Sequence, residues 1–481
     1  MSLSHSLFPG RLLAVVGALA LGACANPGGI APSAEPLTSA ALGLASPAAP
    51  TPWPAATWWR EWGDPQLAAL IERALAQQPN LKVAQARLAR AQAVAAGVQA
   101  TDGPQVNASF DVTRQHFSAT SIYPPPLGGS IRTLSTLQIG GSWELDFFGR
   151  NQSALEAALG AGRAAEADVQ AARVLLAGQV ARAYVQLGRL QVQRNLVEQT
   201  QARRHAMLAL VQQRVKAGLD TRSEQRQGEG VLSDATLQVE QVDEQMTVVR
   251  HALAALSAQA PDALTGLKVP LERLQAPALP ATLPADLLGR RADITAARWR
   301  IEAAAGEVRS ARAAFYPNIN LAAFVGLASI GLDKLFKSAS EQYGAGPALR
   351  LPVFDGGRLR ANLGVRTADL DAAVESYNAA LLEALHDAAD SLGTLAALNR
   401  QQAEQARSLT AAVSAQALAQ QRHAAGLGNR LPVLAAETAV LAQRRQAAEL
   451  QARVLDAQIQ LVRALGGGYA PDTQLAQQVA R

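Results

Sequence analysis

A large internal duplication governs what this chain can become. The segment Glu144-Leu145-Asp146-Phe147-Phe148-Gly149-Arg150 opens one long proline-free stretch, and Leu351-Pro352-Val353-Phe354-Asp355-Gly356-Gly357-Arg358 opens another. Gly149 and Gly357 are 208 residues apart. Further on, Arg214-Val215-Lys216-Ala217-Gly218-Leu219 is matched by Arg422-His423-Ala424-Ala425-Gly426-Leu427, and Gly218 and Gly426 are again 208 apart. Two landmarks at one offset mark a duplicated unit, and the period is far longer than that of a solenoid repeat.

Each unit reads in the same order. A helix comes first and runs into a proline, which stops it: Gln85–Thr101 before Pro104, and Ile294–Phe315 before Pro317. Two strand-like segments follow, about Val106–Phe117 and Leu134–Asp146 in the first unit, and Asn318–Leu327 and Tyr343–Phe354 in the second. Their lengths are close to the roughly 9–11 residues of a tilted membrane strand. Leu137, Ile139, Trp143 and Leu145 fall on one face of the second strand; Ile319, Leu321, Val325 and Leu327 share a face of the third. Last come the long helices. Leu155–Ala217 and Leu359–Ala425 contain no proline, and 63 residues of helix measure roughly 95 Å. Leu370, Val374, Tyr377, Leu381, Leu385, Leu392 and Leu395 trace a heptad-like seam. Such helices pack side by side, not into a compact core. Four strands per chain cannot close a barrel, and an open edge is not tolerated in lipid, so the pattern calls for a ring of identical subunits.

Composition narrows the function. Only 4% of the 481 residues are aromatic, which suits helices packed through small residues better than a chain made mostly of membrane strands. The 44 basic and 39 acidic residues are interspersed, with no basic block for nucleic acid. The six histidines are scattered, His386 and Asp387 point in different directions along their helix, and no nucleotide-binding or metal-ligand motif is present. The expectation is no enzyme, no catalytic residue, no metal and no cofactor beyond a covalent lipid.

That lipid is expected at the N-terminus. Residues 1–23 read as a lipoprotein signal peptide: Arg11 supplies positive charge, and the apolar run Leu12–Ala23 is too short to span a bilayer. It ends in Leu21-Gly22-Ala23-Cys24, which resembles the bacterial lipobox, and Cys24 is the sole cysteine. The plainer alternative is a signal peptide that happens to end near a cysteine. Residues 24–56, rich in Ala, Pro, Ser and Gly, read as a lipidated flexible tether. Order is expected from Trp58, with Asp64 and Pro65 capping a helix that carries Leu67, Leu70, Ile71 and Leu75. The domain reading is 57–262 for the first repeat (hairpin 106–146, coiled coil 150–260), 263–290 for a linker, 291–468 for the second repeat (hairpin 318–354, coiled coil 358–465) and 469–481 for a flexible tail. After Cys24 no apolar run is long enough for a membrane helix.

The order helix, β-hairpin, coiled coil, repeated once, is similar to TolC-like outer-membrane factors. The lipobox, WWREWGDPQLAALI and RRADITAARWRIEAAAGEVRSARAAFYPNINL resemble their lipoprotein subgroup, the NodT- or OprM-type efflux channels. The resemblance implies a mainly α fold with a small membrane β part, assembled as a homotrimer: an α-barrel of long coiled-coil helices and a 12-stranded outer-membrane β-barrel. It implies a passive efflux duct in the outer membrane that works with a periplasmic adaptor and an inner-membrane pump of the RND class. The alternatives are the outer-membrane duct of type I protein secretion and a structural periplasmic coiled-coil lipoprotein. The turns Ala217, Gly218, Leu219, Asp220 and Ala425, Gly426, Leu427, Gly428 would be the adaptor-docking tips. The chain departs from the family at Ala292, where proline often stands, and at Pro432 and Ala435, where aspartates of a periplasmic gate often stand. Glu224, Arg222 and Arg430 are the remaining charged gate candidates, with solvated turn residues as the bland alternative.

Overall fold

The computed structural model of the chain describes residues 26–38, 53–275 and 291–469. Cys24, the signal segment, most of the expected linker and the tail after Tyr469 lie outside the described residues. Seven helices carry most of the described chain: α1 Pro65–Gln77, α2 Pro79–Thr101, α3 Arg150–Lys216, α4 Arg222–Leu256, α5 Ala292–Ala313, α6 Arg358–Ala424 and α7 Leu431–Ala464. Four strands lie between them: β1 Gln105–His116, β2 Ile131–Leu145, β3 Asn318–Ile330 and β4 Glu341–Arg350. Both long helices have 67 residues, and their start points keep the 208-residue offset of the glycine landmarks. Among the described residues no helix is long and apolar enough to cross a membrane.

Compactness does not follow the two sequence repeats. One unit is built from Leu88–Ala165, Ala297–Tyr377 and the chain before Leu37; the other from Leu37–Arg87, Glu166–Ala296 and the chain from Asn378 onward. Each therefore draws on both repeats.

The first unit holds the sheet, an antiparallel meander in the order β1-β2-β3-β4. Its small core joins Val308, Ala311 and Phe315 to Leu359 and Leu363. Arg309 pairs with Glu156 at 2.8 Å, and Arg163 lies 4.5 Å over the Trp299 ring. The free tether expected over 24–56 is corrected in its described part. The Asp371 carboxylate accepts the Ser33 and Ala34 N–H groups at 2.9 and 3.1 Å, Arg360 donates to the Asn26 and Gly28 carbonyls, and Ile30 packs on the Phe315 cluster. The physical reason is that a segment without regular secondary structure can still be fixed through its backbone groups, whatever its composition.

The second unit is held by aromatic and aliphatic burial. Trp58, Trp59 and Trp62 are buried edge-to-face, with Trp58 centroids 5.8 and 5.9 Å from the other two. Asp64 caps α1 by accepting from Gln66 N at 2.8 Å, and its second oxygen accepts the Tyr184 hydroxyl at 2.6 Å. Burial first, and the hydrogen bond to Asp64 second, push the Tyr184 phenol far above its ordinary range. Of the expected α1 stripe, Leu67, Leu70 and Ile71 are buried, while the buried position on the next turn is Ala74 rather than Leu75. Arg291, buried beside Ala292, donates to Asp293 at 2.7 Å and to the Ala464 carbonyl at 3.3 Å, tying the start of α5 to the end of α7. Asp387 turns toward Arg463 while its neighbour His386 faces Asp390, as adjacent helical positions must.

Candidate functional site

Two features of the chain bear on function, and each is described within its own unit. The first is the sheet. Its register aligns Phe110 with Leu137, Leu137 with Leu327, Ile139 with Val325, and Val325 with Tyr343. Strand side chains alternate between faces, so this register places Val106, Phe110, Val112, Ile139, Trp143, Leu321, Val325, Tyr343 and Leu349 on one face. All of these are exposed. The other face carries Asn107, Ser109, Asp111, Thr113, Gln138, Ser142, Glu144, Asn318, Asn320, Gln342 and Arg350. A soluble sheet buries its apolar face. A sheet that leaves it open in every strand and is polar opposite matches a wall between lipid and water.

Aromatic residues gather at both ends of this wall. Where the helices join the strands, Phe148 stacks on Tyr316 at 4.9 Å and Trp143 donates its indole N–H to the Asp102 carbonyl at 3.0 Å. At the hairpin end, Phe117 meets Tyr123 edge-to-face at 5.0 Å, and Phe336 is exposed. Strands of 10 to 15 residues, tilted by about 40°, span about 25–38 Å, enough to cross a hydrocarbon core of about 30 Å. Among the described residues the outer edges of β1 and β4 have no partner strand.

The second feature is the pair of helix-to-helix turns. At the first, Gly218 (φ 73°) donates to Val215 O at 3.1 Å and Leu219 donates to Arg214 O at 2.8 Å. At the second, Gly426 (φ 74°) donates to His423 O at 3.0 Å and Leu427 to Arg422 O at 2.9 Å. Both are Schellman closures, in which a left-handed residue satisfies the last carbonyls of a helix. Leu219 and Leu427 stand 66% and 71% exposed just past the glycines. The expected tip residues are therefore brought together in each turn.

The charged gate candidates are placed differently. Glu224 closes a capping box: its carboxylate accepts Thr221 N at 2.5 Å, and its N–H donates to Thr221 Oγ1 at 3.4 Å. Arg222 is the first residue of α4, and Arg430 immediately precedes α7 without capping it. Sequence reasoning missed the bidentate pair of Arg214 with Asp220, at 2.7 and 2.8 Å across the first turn. Opposite charges flanking the glycine were the available signal. The Arg214 hydrogen bonds hold the Asp220 carboxyl below the usual aspartate range.

Comparison with known proteins completes the picture. The family described as outer membrane efflux protein matches residues 70–259 and 283–467, one segment in each repeat. The multidrug resistance outer membrane protein MdtQ of Escherichia coli O157:H7 is 36% identical over 428 residues, covering 87% of this chain and 89% of that protein. The fusaric acid resistance protein FusA of Burkholderia cepacia is 40% identical over 322 residues, 66% of this chain and 60% of that protein. The crystal structure of the outer membrane protein VceC from Vibrio cholerae superposes with a TM-score of 0.79 at 35% identity, over 87% of this chain and all of VceC. A sheet with a lipid-type and a water-type face, duplicated long helices and these matches agree: the chain belongs to the outer membrane efflux protein family, as an outer-membrane channel component and not an enzyme.

Proposed function

We propose that three copies of this chain form a passive duct through which an inner-membrane pump of the RND class, joined by a periplasmic adaptor, expels small organic molecules. The observation that carries this is the two-faced sheet with its free β1 and β4 edges. Edge backbone groups in lipid must find partners, and β4 of one copy pairing with β1 of the next closes twelve strands. The duct supplies no energy. The adaptor meets the tip turns, where Leu219 and Leu427 offer exposed apolar anchors. Arg222, Arg430 and, through its cap, Glu224 set the charge at that tip. Acyl chains on Cys24 hold the N-terminus in the membrane. The grip of Arg360 on the Asn26 and Gly28 carbonyls supports this, because it leaves only one residue, Ala25, between the anchor and a residue held by α6. The resistance functions named for MdtQ and FusA support small-molecule over protein cargo.

The test is imaging of the detergent-purified mature protein by electron microscopy, paired with complementation of a strain lacking its own channel. Threefold particles with a barrel end, and restored resistance, are expected. Compact monomers would overturn the reading.

A further inference from the structure

The polar face of the sheet has one aromatic residue among its described strand positions, Phe324 in β3. By register it stands between Gly140 of β2 and Gly344 of β4. Its ring lies over Gly344: a Cβ there would come within 2.8 Å of the ring edge. Gly326, next on the same face of β3, has no room for a Cβ against the Leu137 carbonyl. Beyond Gly344, Gly346 opens onto empty space. Gln138 and Gln342 border this cleared patch, with Gln342 Nε2 3.5 Å from Gln138 Oε1. Phe324 remains 39% exposed as a residue.

We propose that Phe324, with the glycines around it, forms a shelf on the channel wall where planar aromatic cargo stacks in transit. This rests on the channel reading above. Three arguments carry it. An apolar ring on a water-facing wall stays unfavourably hydrated unless it finds a flat apolar partner, and aromatic pairs meet in offset or edge arrangements with centroids about 4.5–7 Å apart. On β4, Gly344 under the ring and Gly346 beyond it carry no side chain, so a planar molecule can approach from there; on β2 the Gln138 amide stands 3.5 Å from where a Gly140 Cβ would be. Gln138 keeps amide N–H donors, and Gln342 keeps its carbonyl, free to meet polar substituents at the rim. Weak, graded contacts of this kind suit a duct, which must let cargo leave as readily as it enters. Ring packing over a glycine also steadies a sheet, so the test separates stacking from filling.

The full-length protein is reconstituted in lipid nanodiscs, imaged, and titrated with ethidium, a planar polycyclic cation, by fluorescence anisotropy. Phe324→Trp should bind ethidium at least as tightly as the wild type. Phe324→Leu, which still fills the space over Gly344, should bind up to about tenfold more weakly, the range of one aromatic pair. Tetraethylammonium, with the same charge and no ring, should not displace the dye. Barrels with equal Phe324 and Phe324→Leu titrations would overturn the shelf alone. Images without barrels would overturn the channel reading and the shelf with it.

Discussion

The turns at Gly218 and Gly426 share a backbone and differ in what is fastened across it. In both, an arginine stands four residues before the glycine, the glycine is left-handed and a leucine follows. Around the first, Asp220 clamps Arg214, and Thr221 with Glu224 caps α4. At the same offsets the second has Gly428, Asn429 and Pro432. No carboxylate occurs from 422 to 432, and Arg422 has no ion pair among the described residues. What remains is Asn429 accepting from Leu431 N at 3.0 Å and His423 Nδ1 lying 3.0 Å from the Gly428 carbonyl. Duplication has kept the residues that fix backbone dihedrals and let the side-chain staples diverge. The first turn is stapled; the second is held by its backbone, and is expected to open more readily.

The largest effect should come from attacking the shared backbone. Valine in place of Gly426 forces a β-branched residue to a φ of 74°, a local cost of at least about 1–2 kcal/mol. Export should be lost while trimers still form, read as drug susceptibility beside particle images. Gly218→Val carries the same backbone strain but keeps the Arg214–Asp220 clamp, so part of the export should survive. Equal losses would erase the distinction between the turns.

A gentler change transplants the staple. Gly428 has open space around its would-be Cβ and no positive φ, so Gly428→Asp can be accommodated and can reach Arg422 as Asp220 reaches Arg214. An exposed pair contributes about 0.2–1 kcal/mol, or up to roughly fivefold slower amide exchange around 424–431. The gain should vanish in the double variant with Arg422→Ala. A gain that survives there would mean the aspartate acts on the turn without the arginine. Smaller still is removal of the first cap: Thr221→Ala should cost about 1 kcal/mol locally and fray the start of α4. Asn429→Ala, which removes a single hydrogen bond, should matter less in thermal or exchange measurements.

Much of this was readable in the chain. The left-handed turns were legible because their dihedrals demand glycine, and both long helices because no proline interrupts them. The strands were legible by alternation. Which face met water was not, because Phe324 is assigned to the polar face only once Ile139, Val325 and Tyr343 are seen in register. The strap at 26–38 was misread as a tether because its fastenings, Ser33 and Ala34 N–H on Asp371, use groups every residue has. Thr221-x-x-Glu224 is also a capping-box pattern, a signal passed over in reading Glu224 as a gate candidate; the cap gives Glu224 a local role at the start of α4. The Arg214–Asp220 clamp depends on how a turn brings two side chains together, which charge spacing alone does not fix.

The smallest effect expected is also the most selective, since it acts on one turn through one proton. Asp220 is held below the ordinary aspartate range mainly by the hydrogen bonds from Arg214, against a smaller opposing effect of desolvation. A depressed carboxyl contributes stability that is full above its unfolded value, about 3.9. That stability is lost as pH falls through the folded value. The first turn should therefore loosen below about pH 4, while the second, with no carboxylate between 422 and 432, should not. Amide exchange over 214–224 and 422–432, corrected for the intrinsic rate at each pH, reads the difference directly. Protection in the first segment should fall relative to the second on going from pH 5 to pH 3, and the fall should disappear in Asp220→Asn. If both segments loosen together, the acid sensitivity lies elsewhere in the helices, and the clamp is no part of what sets the two turns apart.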